Sequence, residues 1–234
     1  MTITPPVEIP IIDPVPPTIP PEQKYIETLL RRLWITKGIR FEAHRRLVRQ
    51  HEANHLAISI LSVYVICSAL LELLVNTIDP IAANSATVRY FFPLATIAAP
   101  VFILVLEKHT AGKHYLVKAE RMERSGLKIQ ALHSEVEFRV AHGAALPQNL
   151  DQIREEYELI MRDFSANHDN IDYLYFMALH PSRFGEETGF KIFKRKVRGR
   201  LAYYLDIWGV PIGLIVLPGL LILFAIISLA RVQR

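Results

Sequence analysis

Three long apolar stretches constrain the fold of this 234-residue chain more than any other feature. They cover residues 56–75, 90–106 and 207–230, and the only charged side chain within them is Glu72. A helix needs about 20 apolar residues to cross the roughly 30 Å hydrocarbon layer of a bilayer. The stretches therefore predict three transmembrane helices, of which the first two form a hairpin.

The composition fits a membrane protein and excludes a disulfide scaffold. A mean hydropathy of +0.21, together with 21% charged residues, indicates separate apolar and charged blocks. Cys67 is the only cysteine, so no disulfide forms within the chain. Residues 1–21 hold eight prolines and no Lys or Arg, which argues against a signal peptide. We expect a disordered or polyproline tail, either simply solvated or carrying a short motif for a partner.

Lys and Arg are distributed unevenly around the three stretches. Eight precede the first stretch, 16 lie between the second and third, and the loop 76–89 holds only Arg89. Cytoplasmic segments of membrane proteins carry the excess of these residues. The sequence therefore predicts a cytoplasmic N-terminus and middle region, with the loop 76–89 on the outside.

The charged blocks show helical periodicity and no strand pattern, so the predicted fold is all-α. Residues 22–54 predict a helix that runs straight into the first span, and 150–164, 170–179 and 190–206 predict three more. A seam at alternating spacings of three and four is typical of a coiled coil or helical bundle, and it extends the second arm of the hairpin. Its members are Tyr115, Ala119, Met122, Gly126, Ile129, His133, Val136 and Val140. We divide the chain into the tail 1–21, a helical domain 22–200 with the hairpin, and a C-terminal span within 201–234.

Polar side chains inside the first span are candidate functional residues. Tyr64, Ser68 and Glu72 are four residues apart and share one helix face. In one interpretation this face lines a water-filled path in an oligomer, with Glu72 selecting cations. In the other, Glu72 pairs with Arg89 and only fastens the hairpin.

A short zinc-protease motif also occurs, at the membrane boundary. His51, Glu52 and His55 match H-E-x-x-H, which places two imidazoles on one helix face with a glutamate as general base. No convincing third ligand accompanies it, so zinc catalysis is the weakest alternative. No phosphate-binding loop or nucleophile motif is found, and we expect no catalytic residues, metal, cofactor or nucleic-acid binding.

Two short elements flank the predicted hairpin in a familiar order. The first reads Arg40-Phe41-Glu42-Ala43-His44-Arg45-Arg46-Leu47, and the second reads Asn167-His168-Asp169-Asn170-Ile171-Asp172-Tyr173. Over about residues 22–200 the chain resembles the SLATT family, the SMODS and SLOG-associating two-transmembrane effector domains. The third span departs from a plain two-span domain. The resemblance marks Arg40, Phe41, Arg46, Asn167, His168, Asp172 and Tyr173 as hallmark residues, for which we expect structural or switch roles.

The resemblance implies a bacterial inner-membrane effector of an anti-phage system, acting by pore formation or membrane perturbation and leading to abortive infection. We also expect a homo-oligomer, and the three-and-four spacing assigns Tyr115, Met122, Ile129 and Val136 to an oligomer or bundle seam. Implied partners are a nucleotide-second-messenger synthase, a nucleotide sensor or a reverse transcriptase. The main alternative is a membrane-anchored adaptor that only localises a partner enzyme.

Overall fold

The computed structural model describes residues 21–78, 90, 92–142, 150–164, 169–184 and 189–232, and these ranges are helical with no strand. The expectation of an all-α fold is therefore confirmed. The helices are α1 (Pro21–Ile78), α2 (Phe92–Gly112), α3 (Tyr115–Ala141), α4 (Leu150–Asp163), α5 (Asn170–Leu179) and α6 (Gly189–Val232), with a 3-10 turn at Pro181–Arg183. The proline-rich residues 1–20 lie outside the described ranges.

Helix α1 is the central element of the molecule. It runs for 58 residues without a break, which corresponds to about 87 Å at 1.5 Å per residue. The prediction that the N-terminal helix continues directly into the first span is confirmed. Small and aliphatic side chains are buried along the part of α1 that precedes residue 56, so the other helices pack around it. These are Leu29, Leu33, Ile39, Ala43, Leu47 and Ala53.

The predicted seam of α3 packs on α1 of the same chain. The two helices are antiparallel, because the side chain of His44 contacts the Ala119 carbonyl while Lys37 lies beside His133. Of the four residues assigned to an oligomer or bundle seam, Met122, Ile129 and Val136 are buried in this contact, and Tyr115 packs at its edge. Helix α4 adds Ile153 and Ile160 to the same core.

Glycine allows aromatic rings to sit against the helix backbone at two places. A Cβ on Gly126 would lie 3.1–3.3 Å from ring atoms of Phe41, and a Cβ on Gly38 only 2.1 Å from the Phe176 ring. Gly126, a weak position in the predicted seam, is therefore the place where the ring of Phe41 enters the α1–α3 contact.

Helices α5 and α6 cover the other side of α1. The rings of Tyr175 and Tyr203 stack with centroids 3.8 Å apart, and both belong to a core that includes Ala53 of α1. Trp34 of α1 contacts Phe176 at a centroid distance of 5.0 Å. The predicted boundaries 170–179 agree with α5. No break separates residues 200 and 201, because α6 is continuous through both.

The second arm of the hairpin is not one helix, contrary to the expectation. Helix α2 ends at Gly112, and His114 takes a left-handed conformation with φ of 51° before α3 begins. The amides of Lys113 and His114 close tight turns onto Thr110 and Ala111. The heptad spacing of apolar residues does not reveal this interruption.

Two of the described helices are long and apolar enough to cross a membrane, Gln23–Thr77 and Gly189–Phe224. Only 11% and 12% of their most apolar windows are buried in the molecule, so these are not core helices of a soluble domain. Together with the predicted spans they indicate a membrane location. The predicted span 90–106 falls for the most part on α2 (Phe92–Gly112), and a third crossing stays a prediction.

His133 gives the fold a testable dependence on pH. Its side chain is 5% exposed, and Nδ1 lies 3.5 Å from Lys37 Nζ and 3.2 Å from a Glu137 oxygen. Burial, and then the charge of Lys37, lower the pKa of His133 below its ordinary 6.5. The folded protein therefore binds this proton less readily than the unfolded chain, and stability is lost as pH falls below about 6.5.

We expect the melting temperature of the wild type in detergent to fall more between pH 7.5 and 5.5 than that of His133→Gln. Glutamine can hydrogen-bond at this position but does not titrate. Parallel decline of the two proteins would show that His133 is not responsible.

Candidate functional site

One arginine of α1 binds three carboxylates from two other segments. Arg46 is 5% exposed, and its Nε donates to Asp172 Oδ1 at 2.7 Å while Nη2 donates to Asp172 Oδ2 at 3.1 Å. Nη1 donates to Asp206 Oδ2 at 2.7 Å, and Nη2 also donates to Asp169. We call these four residues the Arg46 cluster. It joins α1, the start of α5 and α6 through one guanidinium.

The first turn of α5 holds two of the carboxylates in place. Asp169 is the N-cap of α5, and Asp172 completes a capping box by accepting a hydrogen bond from the Asp169 amide at 3.2 Å. Such a box satisfies amides that have no partner inside the helix. Asp172 therefore serves the helix start and Arg46 together, and its side chain is fully buried.

The charges of the cluster are unequal, with one guanidinium facing three carboxylates. Burial works to lower the pKa of Arg46, but the hydrogen bonds that Arg46 donates to Asp172, Asp206 and Asp169 outweigh it and raise this pKa. Burial raises the pKa of Asp172, and the hydrogen bonds and charge of Arg46 offset part of that shift; the Asp169 amide also lowers this pKa, whereas the Asp169 carboxylate raises it. Arg46 is thus firmly charged, whereas its three acceptors compete for one cation.

Further buried polar groups surround the cluster on the same side of α1. Gln50 donates to the Asp206 carboxylate at 2.7 Å and to its backbone carbonyl at 3.2 Å. Glu42 is buried and binds Arg45 at 2.6 Å, and burial raises the pKa of Glu42. This polar interior has no nucleophile beside a base. Its chemistry suits holding helices together rather than catalysis.

The cluster lies close to the N-terminal end of the first predicted span. Arg46 precedes Leu56 by ten residues, or about 15 Å of helix. Helices α1 and α6 are parallel, because Arg46 contacts Asp206 while Tyr64, farther along α1, approaches Gly219. A movement of α5 therefore acts near the point where α1 and α6 leave the helical bundle and enter their apolar stretches.

The other hallmark residues are divided between the bundle and the undescribed ranges. Arg40 is buried and its guanidinium contacts Met122 Sδ at 3.1 Å and the Phe164 carbonyl at 3.5 Å. Tyr173 is half-buried and its ring meets that of Phe184 edge-on. Asn167 and His168 lie outside the described residues.

The polar face of the first span is turned partly into the protein. Tyr64 and Ser68 line a groove between α1, α2 and α6, but Glu72 is half-buried and not among its lining residues. Arg89, the proposed partner of Glu72, lies outside the described residues.

Among the described residues, the two histidines of the zinc motif are not joined by a third side chain that could bind a metal. The rings of His51 and His55 are 4.3 Å apart, and burial and His55 lower the pKa of His51. No group of three His, Cys, Asp or Glu side chains among the described residues is placed to hold a metal.

Sequence reasoning identified Arg46 and Asp172 but missed their pairing, and it missed Asp206 and Gln50 entirely. Opposite charges in the two hallmark elements were the available signal for the pair. Asp206 is the last charged residue before a long apolar stretch. A charged residue at the end of a predicted span is ordinary, so its position gave no sign of a special role.

Comparison with family models found one match, described as SMODS and SLOG-associating 2TM effector domain family 5, over residues 22–224. The match therefore includes most of α6. Neither the curated proteins nor the solved structures gave a match.

Replacing Arg46 by lysine tests the geometry of the cluster at constant charge. An ammonium cannot form the paired hydrogen bonds that a guanidinium makes with Asp172 while also reaching Asp206. Hydrogen bonds to charged groups contribute about 1.5–3 kcal/mol each, so we expect Arg46→Lys to lower the free energy of unfolding by about 2–4 kcal/mol. Denaturant titration of the full chain in detergent measures this loss.

The matched control is Arg49→Lys, at an exposed position three residues farther along α1. Surface substitutions usually change stability by less than about 0.5 kcal/mol. Equal effects at the two positions would contradict a structural role for the cluster.

Proposed function

The chain belongs to the SMODS and SLOG-associating two-transmembrane effector domain family, and from this premise we propose that it is a bacterial membrane effector without enzymatic activity. In this proposal a partner that senses infection acts on the cytoplasmic bundle. The membrane helices then rearrange and ions cross the inner membrane. The partner is a nucleotide-second-messenger synthase, a nucleotide sensor or a reverse transcriptase.

The observation that supports this proposal most strongly is the Arg46 cluster. It binds the start of α5 to both α1 and α6, about 15 Å before α1 reaches its predicted span. Displacing α5 would leave Arg46 and Asp206 to rearrange at the base of two membrane helices. The cluster is therefore suited to hold a resting arrangement that a signal releases.

The contacts between the apolar parts of α1, α2 and α6 favour three membrane crossings. Leu61 and Ser68 of α1, Ala98 of α2 and Pro218 of α6 line one groove, so the three helices lie at the same level. If the apolar part of α1 is within the bilayer, the facing parts of α2 and α6 are too. Side chains on the outside of α2 are more than half exposed and apolar, as suits contact with lipid; they include Leu94, Ile97, Val101 and Leu104.

The homo-oligomer of this proposal forms through α6 rather than through the seam of α3, which is already packed on α1. Five large apolar side chains on the cytoplasmic part of α6 are exposed: Phe190, Phe193, Val197, Leu201 and Leu205. Because α6 continues without a break into its apolar stretch, this part projects away from the bilayer instead of lying on it. A second copy is the partner that we assign to this surface.

Membrane potential in bacteria tests the proposal through Arg46. Removing the guanidinium leaves three carboxylates that repel one another, so the resting contact between α1, α5 and α6 is lost. We expect cells that express Arg46→Ala to depolarise several-fold more than cells with equal amounts of wild type, as measured with a voltage-sensitive dye. Arg49→Ala, the exposed control, should behave like the wild type.

The proposal would be contradicted if Arg46→Ala inserts into the membrane in the same amount as the wild type and the membrane potential is unchanged. That outcome would instead favour an adaptor that localises a partner enzyme.

Glu72 provides a second test, in the Arg46→Ala background. If Glu72 faces an ion path between copies, Glu72→Leu removes its charge and should restore most of the membrane potential. Glu52→Leu, at an exposed carboxylate of the same helix outside the predicted span, serves as the control. Depolarisation that persists in Glu72→Leu would exclude Glu72 from the path.

A further inference from the structure

A pocket between α5 and α6 is lined mainly by basic side chains. It has a volume of about 270 Å³. Helix α6 contributes Lys191, Lys194, Arg195 and Arg198, and α5 contributes apolar residues. Among the described residues that line this pocket, none is acidic. The pocket therefore concentrates four positive charges around a small concave space.

Membrane topology explains why basic residues precede the third predicted span, but it does not explain their arrangement on α6. Six basic residues lie from position 191 to position 200. Four of them are spaced at i, i+3, i+4 and i+7, so they share one helix face, and these four line the pocket. Lys196 and Arg200 are not among the lining residues. The rule that orients a span counts basic residues and does not require them to surround one pocket.

The cations of the pocket also differ from exposed arginines elsewhere in the bundle. Arg124 of α3 and Arg154 of α4 each pair with a glutamate one turn away on the same helix. Lys191, Lys194 and Arg198 form no ion pair with any described carboxylate. Like charges one turn apart repel one another. An anion in the pocket would relieve this repulsion.

Part of the pocket lies where the backbones of α5 and α6 meet closely. A Cβ on Gly199 would lie 2.8 Å from the Leu174 carbonyl oxygen and 2.8 Å from the Ala178 Cβ. Leu174 and Met177 of α5 line the pocket together with the cations. Apolar walls lower the local dielectric constant, which strengthens the attraction between a cation and an anion. The pocket is therefore better suited to a compact anion than a flat basic surface would be.

Charge and volume together indicate the class of ligand. A phosphate monoester carries about −1.5 to −2 charges at pH 7, so two phosphate groups balance four cations. Four carboxylates would be needed for the same charge, and guanidinium groups also bind phosphate oxygens through paired hydrogen bonds. The volume of about 270 Å³ lies just below the range of about 300–1,000 Å³ that drug-sized ligands occupy. A compact ligand with two phosphate groups satisfies both limits.

The position of the pocket along α6 distinguishes a soluble ligand from a lipid headgroup. Arg198 lies nine residues and Lys191 16 residues before the predicted span 207–230, which corresponds to about 14 Å and 24 Å of helix. The headgroup layer extends only about 5–8 Å beyond the hydrocarbon core. Even at a helix tilt of about 40°, Lys191 stays about 18 Å from that core. These positions favour a ligand from the aqueous phase.

We infer that this pocket binds a soluble compound with two phosphate groups, which Lys191, Lys194, Arg195 and Arg198 hold. The inference rests on the proposed function only for the membrane placement of α6, and ion conduction is not part of it. The ligand contacts both α5 and α6, the helices that the Arg46 cluster also joins. Its binding therefore strengthens the contact that the cluster holds.

Pyrophosphate is a suitable probe, because it consists of two phosphate groups and nothing else. It is titrated into the full chain in uncharged detergent at low ionic strength, and isothermal titration calorimetry measures the affinity. We expect one pyrophosphate per chain, bound at least about tenfold more tightly than inorganic phosphate, because the second group reaches further cations. Citrate, whose charges are carboxylates, should bind more weakly than pyrophosphate. Added salt should weaken the binding, since it screens exposed charges.

Two matched variants separate the pocket from the general charge of α6. Arg198→Gln removes one cation of the pocket and should weaken pyrophosphate binding at least about tenfold, the effect of losing a hydrogen bond between charged groups. Arg200→Gln removes the same charge outside the pocket and should change the affinity less than about twofold, because solvent and salt screen it. Both side chains are exposed, so the ligand-free variants should have equal melting temperatures.

Absence of pyrophosphate binding would overturn the inference. So would equal losses in Arg198→Gln and Arg200→Gln, which would indicate diffuse attraction to a basic helix, or citrate binding as tight as that of pyrophosphate. Short-chain phosphatidylglycerol that binds only when Arg198 is present, and that pyrophosphate does not displace, would assign the pocket to a lipid headgroup instead. Because binding is measured in detergent, its failure is distinguishable from a failure of Arg46→Ala to depolarise cells.

Discussion

The arrangement of this molecule depends on one buried guanidinium. Arg46 satisfies two oxygens of Asp172 and single oxygens of Asp169 and Asp206, and in this way one side chain joins three segments by charge. A buried ion pair contributes little net stability compared with apolar packing, but removing one partner is costly. The cluster therefore specifies which helices meet, and apolar cores on both sides of α1 supply most of the cohesion.

The surplus of carboxylates gives the cluster a particular character. One guanidinium faces three carboxylates, so the cluster has more acceptor groups than positive charges. Because Asp172 is also part of the cap of α5, its bond to Arg46 and the integrity of that helix start are linked. The same side chains cap α5 and join it to α1, and through them the two hallmark elements, far apart in sequence, lie together in space.

Sequence periodicity predicted the helices well because each has a buried stripe at regular spacing. The limits of α5 and the uninterrupted course of α1 follow from the apolar pattern and the absence of proline between residues 22 and 78. The turn at residues 113–114 was missed, since a single left-handed residue leaves the spacing of apolar positions intact. The partner of Arg46 could not be predicted either, because choosing among 23 acidic residues requires knowing how α5 and α6 are placed around α1.

The interruption at His114 has a mechanical consequence. Helix α1 passes from the helical bundle into its apolar stretch without an internal proline, so rotation or tilt at one end is transmitted to the other, whereas α6 holds Pro211 and Pro218 in its apolar part. Helix α2 is joined to α3 by only two residues outside helical geometry. A rotation of α3 is therefore not passed on to α2 as it would be along one continuous helix. The tilt of α2 is set by lipid and by its neighbouring helices.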